Sequence, residues 1–340
     1  MTAAGPTQEA IDLFHQGMAK FWHPVCLDSD LPADAPLAVE LLGQRLVLVR
    51  LGGSLSCFDD LCRHFGAALS IGEVVDGNLR CRYHGWTYDQ TGKVVDIPAR
   101  RELPIPREAC VATHQVKQAY GLIWVCIAPE PAAGIPVYPE SVDPKYHLTP
   151  YRVYKPWAAS ATRVVMGALD DTHFPWVHPG TLGDPAHPEA PEHECSVGKD
   201  HVLTSYSIKQ PANITIGSTG WGEGLEKVTY TNRAYPSTIH LQKVAPGGTF
   251  ALFQAMQPMA YNRSRIFLQV ARDYDLDPAQ DDRYLEFEDG VQDQDKPVVE
   301  SQRPWLLPPL SARLMLYVRP ADLPLITFQK WMEELGIPQV

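Results

Sequence analysis

Residues 62–84 read CRHFGAALSIGEVVDGNLRCRYH, with Cys62 and His64 at one end and Cys81 and His84 at the other. Each pair offers one thiol and one imidazole, and 16 residues separate the pairs. Four metal-competent donors in so short a span require two loops to close on one object, so the chain between them must turn back on itself. A tetrahedral zinc ion is one object that two thiolates and two imidazoles can hold. Zinc-finger spacing, however, pairs Cys with Cys and His with His, whereas each loop here supplies one of each.

At 340 residues the chain is too long for one small core and predicts one large or two modest domains. A formal net charge of −11 disfavours nucleic acid or an anionic membrane as a partner. The seven cysteines form an odd, scattered set, which argues against a disulfide framework and for a reducing compartment. The N-terminal stretch carries acids and lacks an apolar core of signal-peptide length. The longest apolar run, GLIWVCIA at 121–128, is far short of a membrane span. A cytoplasmic protein is expected.

Helical spacing at Ile11, Phe14, Met18 and Phe21 predicts a short helix over 8–21. From residue 37, β-rich runs alternate with Gly-containing turns in the pattern of a meander, and residues 89–92 read as a hairpin turn. Residues 129–157, rich in Pro and Tyr, read as a link. The division expected is 1–136, a β domain with the N-terminal helix, and 137–340, a larger second domain. In the latter, 159–177 and 278–300 look helical, and 200–210, 225–234, 237–245, 248–258 and 264–274 look like successive strands. Residues 326–335 read as a closing helix.

Mixed donors also suit a two-iron, two-sulfide cluster in which one iron takes both thiolates and the other both imidazoles. Neutral imidazoles in place of thiolates raise its reduction potential above that of an all-Cys cluster. The second pair runs on as His84-Gly85-Trp86. With CxH, a mid-teens spacer and CxxHGW, the chain resembles the Rieske iron–sulfur domain. That resemblance implies that Cys62 and Cys81 hold one iron of a 2Fe-2S cluster, and His64 and His84 the other. Cys26, Cys57, Cys110, Cys126 and Cys195 read as small buried hydrophobes.

A Rieske cluster moves single electrons, so the rest of the chain must hold the chemistry that uses them. Residues 166–178 read MGALDDTHFPWVH. Asp170 and His173 share a face if helical, and Pro175 breaks the turn so that His178 can swing back beside His173. Two imidazoles, one carboxylate and open positions make the facial triad of oxygen-activating non-haem iron, Fe(II). Together these features resemble the catalytic subunit of Rieske non-haem iron oxygenases over essentially the whole chain. HFPWVHPGTLGDP and DKPVVESQ look most like the monooxygenase and demethylase branch, which includes dicamba O-demethylase, methylxanthine N-demethylases and saxitoxin-pathway hydroxylases.

The resemblance implies an α+β architecture, a Rieske β domain followed by a helix-grip domain of antiparallel sheet plus helices. It implies the third iron ligand at Asp295, with Asp293 and Asp289 as competitors. Asp170 is implied to be no ligand; it accepts N–H bonds from a cluster histidine of one subunit and His173 of the next, giving the electron a short path. Relatives commonly carry an acidic residue and Asn where this chain has Met166 and Gly167, which removes polar groups near the iron. Val291 and Gln292, one turn before Asp295, are expected to line the pocket, with Asn213, Trp221 and Gln254 as further candidates. Asp171 reads as a solvated or capping acid, and His187, His193, His201 and His240 as loop or strand-surface residues.

The function so implied is that of a terminal oxygenase component. It uses O2 and electrons from NAD(P)H, delivered by a separate reductase or ferredoxin, to hydroxylate or dealkylate a small molecule as a monooxygenase. No Gly-rich dinucleotide fingerprint is present. The family implies a head-to-tail homotrimer that sets each cluster beside a neighbour's iron. Three rivals remain: a cis-dihydroxylating dioxygenase, a Rieske electron-transfer protein whose second domain serves only for interaction, and a zinc-stabilised binding module.

Overall fold

The computed structural model describes residues 5–211 and 225–337. Asn213 and Trp221 lie outside the described residues. The chain divides into two compact units, Ala19–Ile135 and Pro136–Val340, the latter joined by Met1–Met18.

The first unit is built from small antiparallel sheets, as its meander pattern predicts. Gln44–Leu51 pairs with Leu37–Leu41 and Ser54–Asp59, and Leu122–Cys126 pairs with His23–Leu27 and Gln115–Ala119. Glu73–Val75, Asn78–Arg80, Thr87–Tyr88 and Val94–Asp96 form a ladder. The hairpins at 42–43, 52–53, 76–77 and 120–121 have positive φ at both turn residues, the type I′ geometry that matches the twist of the flanking strands. The core gathers Val47, Phe58, Leu69, Leu79 and Tyr88, and Cys62 and Cys81 are part of it.

In the second unit the five strands expected from sequence all form. Val202–Pro211, Leu225–Tyr235, Thr238–Ala245, Gly248–Ala260 and Arg263–Arg272 run as an antiparallel meander, with Glu194–Val197 at one edge. The helices α1 (Gln8–Met18), α2 (Ala161–Leu169), α3 (Phe174–Val177), α4 (Asp281–Ser301) and α5 (Leu323–Glu334) complete the unit. Helix α2 packs on the three strands spanning 225–260, and α5 on the strands spanning 194–211. This is the helix-grip arrangement of sheet and helices.

Two local expectations change. Helix α1 groups with the second unit, not with the β domain, because Gly17 lets it pack tightly at the C-terminal end: a Cβ there would lie 3.0 Å from the Ile337 Cα. The helix expected over 159–177 is broken. Asp170 is extended (φ −80, ψ 128) at the end of α2, and Pro175 sits in the first turn of α3. Proline is tolerated there because the first N–H groups of a helix lack intrahelical partners anyway, so Pro175 opens a turn and does not end one.

Helix α4 is fastened at its start by a buried polar cluster. The Arg272 guanidinium is fully buried, ion-pairs with Asp281 at 2.7 Å and donates to the Asp275 carbonyl at 2.8 Å. His147 meets the same Asp281 carboxylate at 2.9 Å. Among the described residues no helix is long and apolar enough to cross a membrane. Arg272→Leu leaves the Asp281 carboxylate with His147 as its remaining partner, and the expected loss of stability is about 3 kcal/mol, measurable by urea denaturation; a change below about 1 kcal/mol means the pair does not anchor α4.

Candidate metal centres and substrate cavity

The two Cys–His loops have matching backbones. Cys62 N–H donates to the Ala67 carbonyl at 2.7 Å, and Gly66 N–H to the Cys62 carbonyl at 2.9 Å. In the second loop Cys81 N–H donates to the Trp86 carbonyl at 2.8 Å, and Gly85 N–H to the Cys81 carbonyl at 3.0 Å. Gly66 and Gly85 both have φ of 74, a left-handed conformation that side chains resist. The thiols are buried in the apolar core while both histidines are exposed. The imidazole Nδ1 atoms lie 3.1 Å apart, and Trp86 stacks on His64 with centroids 4.6 Å apart. Burial pushes the Cys81 thiol up, against the pull of the Tyr83 N–H.

This geometry distinguishes a cluster from a single ion. Tetrahedral zinc needs all four donors around one point. Among the described residues, the only three His, Cys, Asp or Glu donor atoms within 4.8 Å of one another belong to His173, His178 and Asp295. No three of the Cys62, His64, Cys81 and His84 donors converge in that way. A thiol pair rooted in the core and an imidazole pair at the surface fit the two ends of a 2Fe-2S cluster.

In the second unit, His178 sits at the end of α3, where its carbonyl accepts the N–H groups of Thr181 and Leu182, both at 3.1 Å. His173 Nε2 and His178 Nε2 lie 3.2 Å apart. Asp295 Oδ1, from α4, is 3.0 Å from His178 Nε2 and 3.5 Å from His173 Nε2. The outer nitrogens are also held. His178 Nδ1 donates to Gln294 Oε1 at 2.7 Å, and His173 Nδ1 to Asp170 Oδ2 at 3.3 Å. Protons fixed on Nδ1 leave the Nε2 lone pairs facing Asp295. Burial pulls the His178 imidazole down, but Asp295 and Gln294 outweigh it and the net shift is upward. Two nitrogens and one carboxylate oxygen fit the 2-His-1-carboxylate set of non-haem iron(II).

Asp170 meets His173 through a turn and not a shared helix face. Its Oδ1 accepts the Thr172 N–H at 2.9 Å and hydroxyl at 2.7 Å, and its carboxyl is held below the usual range, the His173 and Thr172 bonds outweighing burial. Asp293 is exposed. Asp289 is engaged elsewhere, accepting from the Tyr154 hydroxyl at 2.8 Å with Arg152 3.3 Å away.

His173, His178 and Asp295 line a cavity of about 360 Å³, and Val291, Gln292 and Gln254 line it too. Gln254 Nε2 donates to Gln292 Oε1 at 2.9 Å. Gly167 lies on the wall, where a Cβ would come 3.2 Å from Val299. Five readings of lesser residues are corrected, two of them cysteines: Cys110 is exposed and Cys195 half-buried. Asp171 is buried and pairs with buried His193 at 2.8 Å. His240, also buried, pairs with Glu140 at 2.7 Å because the segment carrying Tyr138 and Glu140 covers that part of the sheet.

Tyr88, Gln294, Lys243 and Glu288 were missed in the sequence. The loops CRHFG and CRYHG already spell the same Cys-to-Gly spacing, a signal for two matched turns. Lys243 follows Ile239 and Leu241 in strand alternation, so its side chain falls in phase with inward residues.

Residues 21–113 match the Rieske [2Fe-2S] domain, and residues 157–336 match the vanillate O-demethylase oxygenase C-terminal domain. The chain belongs to the Rieske non-haem iron oxygenases that join these two domains. It is 32% identical over 326 residues to methylxanthine N1-demethylase NdmA of Pseudomonas putida, covering 93% of this chain and 88% of that protein. The structure of NdmA with caffeine superposes with a TM-score of 0.83 at 30% identity, covering 95% of this chain and 92% of that one. A shorter match, 36% identity over 118 residues, is to oxidoreductase NdmD of the same organism, covering 34% of this chain and 20% of that protein. The chain is thus an oxidoreductase of the monooxygenase and demethylase branch, working with a 2Fe-2S cluster, iron(II), O2 and electrons derived from NAD(P)H.

The Tyr88 hydroxyl accepts the Arg63 N–H at 3.0 Å, so its own proton is aimed at Cys62 Sγ, 3.1 Å away. Donors to sulfur stabilise the reduced cluster. Tyr88→Phe is expected to keep the cluster's visible spectrum and to lower its midpoint potential in a redox titration; an unmoved potential removes Tyr88 from the cluster's surroundings.

Proposed function

We propose that this chain is the terminal oxygenase of a multicomponent demethylase, removing an N- or O-methyl group from a small planar substrate. The convergence of His173, His178 and Asp295 on a mostly apolar cavity carries this reading. Cys62 and Cys81 would hold one iron of the cluster and His64 and His84 the other, with the catalytic iron(II) at the triad. Bound there, iron(II) supplies the activation of dioxygen. One oxygen atom enters a methyl C–H bond and the other leaves as water, with two electrons and two protons consumed. The hydroxymethyl product then collapses to the demethylated compound and formaldehyde.

The chain's own residues orient and exclude. Gln294 and Asp170 hold protons on the outer nitrogens of the histidine pair, and Trp157, Phe174 and Phe250 keep water from the reacting methyl group. Electrons arrive from a separate reductase or ferredoxin; the match to NdmD supports such a partner. A head-to-tail homotrimer would bring the exposed His64 and His84 edge of one subunit toward the Asp170 of the next. The seven free cysteines suit a reducing cytoplasm.

His173→Ala is expected to retain the red-brown cluster and acid-labile sulfide but to lose the second iron and at least about 100-fold of formaldehyde release. Asp170→Asn should retain both metals and lose turnover. A His173→Ala variant that still releases formaldehyde ends the demethylase reading, and a colourless wild-type protein without sulfide ends the Rieske one.

A further inference from the structure

The turn between α2 and α3 carries Asp170 and His173, and the acid beside Asp170 is buried where a solvated one would serve a turn equally well. Asp171 Oδ1 accepts the His193 Nε2–H at 2.8 Å, and neither side chain is more than 3% exposed. His193 Nδ1 is buried and has no hydrogen-bond partner among the described residues, so among them Asp171 is the polar contact that fixes the ring. A buried pair of this kind is weak evidence of stabilisation, because well-packed apolar side chains of similar volume often do as well or better. What it does supply is a fixed geometry.

The two partners belong to different parts of the unit. His193 immediately precedes Glu194–Val197, which pairs with Val202–Pro211 and against which α5 packs. The His193 ring meets Tyr206 edge-on, with centroids 5.2 Å apart, and Tyr206 stacks on Tyr230. Asp171 belongs to the turn itself. Its carbonyl accepts the Phe174 N–H at 3.2 Å, at the start of α3. The Gly183 backbone abuts α3 so closely that a Cβ would come 2.3 Å from the Pro175 nitrogen. The turn is therefore held at two points, by a side-chain bond to the sheet edge and by backbone contact on α3.

We infer that His193 is a positioning residue for electron entry: by donating to Asp171 it pins the turn that presents Asp170 and His173, and so sets how fast an electron reaches the triad. One electron leaves the reduced cluster, which is oxidised, and takes ferric iron at the triad to ferrous; no bond forms or breaks. That route uses the 3.3 Å contact of Asp170 with His173, and a turn free to rock would lengthen it. The inference rests on Asp170 as the bridge between subunits.

The test uses the metal-loaded protein, oxidised with ferricyanide and free of substrate. A flash in the presence of deazaflavin reduces the cluster anaerobically, and the return of its visible absorption follows the electron to the triad. His193→Leu should keep its sulfide, both kinds of iron and a cooperative urea transition, yet slow that return at least about tenfold. It should also hasten deuterium exchange of the Thr172 and Phe174 amides, which bond within the turn. His193→Gln, whose side-chain N–H falls close to the imidazole Nε2, should restore both readings towards wild type. Asp171→Leu joined to His193→Leu should be no slower than either alone, as residues acting through one contact require. An unchanged rate in His193→Leu, a glutamine variant as slow as the leucine one, or a leucine variant that loses the second iron or its cooperative unfolding overturns the proposal. Asp170→Asn, read in parallel, separates the two readings. If it alone slows the electron, the bridge stands and the role of His193 falls; if only His193→Leu slows it, the positioning stands through His173 and the bridge falls.

Discussion

The approach of the Asp295 carboxylate to two imidazoles, 3.0 and 3.5 Å away, is the contact on which the catalytic unit depends. Its partners lie more than a hundred residues earlier in the chain, so loop closure opposes it. Two anchors hold α4 against that cost. The Arg272–Asp281 pair fixes its start, and near its end Glu300 accepts the Ala158 N–H at 2.7 Å and pairs with Lys296. Between the anchors the helical repeat brings Glu288, Gln292 and Asp295 onto one face, so a single rigid element supplies both a candidate metal donor and polar groups on the cavity wall.

The iron–sulfur unit solves a different problem, that of holding thiols and imidazoles at fixed separation on loops. Repetition of one turn in CRHFG and CRYHG supplies the answer. In each, a cysteine is embedded in a core of Leu69, Leu79 and Tyr88, and a glycine in the left-handed region closes the turn so that the histidine emerges at the surface. The depth of the sulfurs limits access by water and oxidants, while the exposure of the imidazoles leaves a short route for an electron.

Much of this was legible in the sequence because it is local. The alternation in 202–272 names its strands, and the Cys–His spacing names its loops, since strand period and turn chemistry act over a few residues. What escaped is set by distant contacts. Nothing within 159–177 announces that Asp170 turns away from the helix, because an Asp–Thr turn and a helical step compete closely there. The burial of His193 and His240 depends on Asp171 and Glu140, which only the folded sheet brings near. Gln294 was passed over because its neighbour carries the charge, although it holds the deeper of the two imidazoles.

The triad is assembled by contacts within the chain itself: turns, a clamped helix and bonds to the outer nitrogens of both rings. A site so preformed spends little of its affinity on organising itself, and also does little to choose among divalent ions. By the Irving–Williams order, two imidazoles and a carboxylate bind nickel, copper or zinc more strongly than ferrous iron. Correct metallation of such a site therefore falls to the cell's metal supply, and protein made with ample iron but an excess of zinc or copper would accumulate folded, coloured by its cluster and mismetallated at the triad.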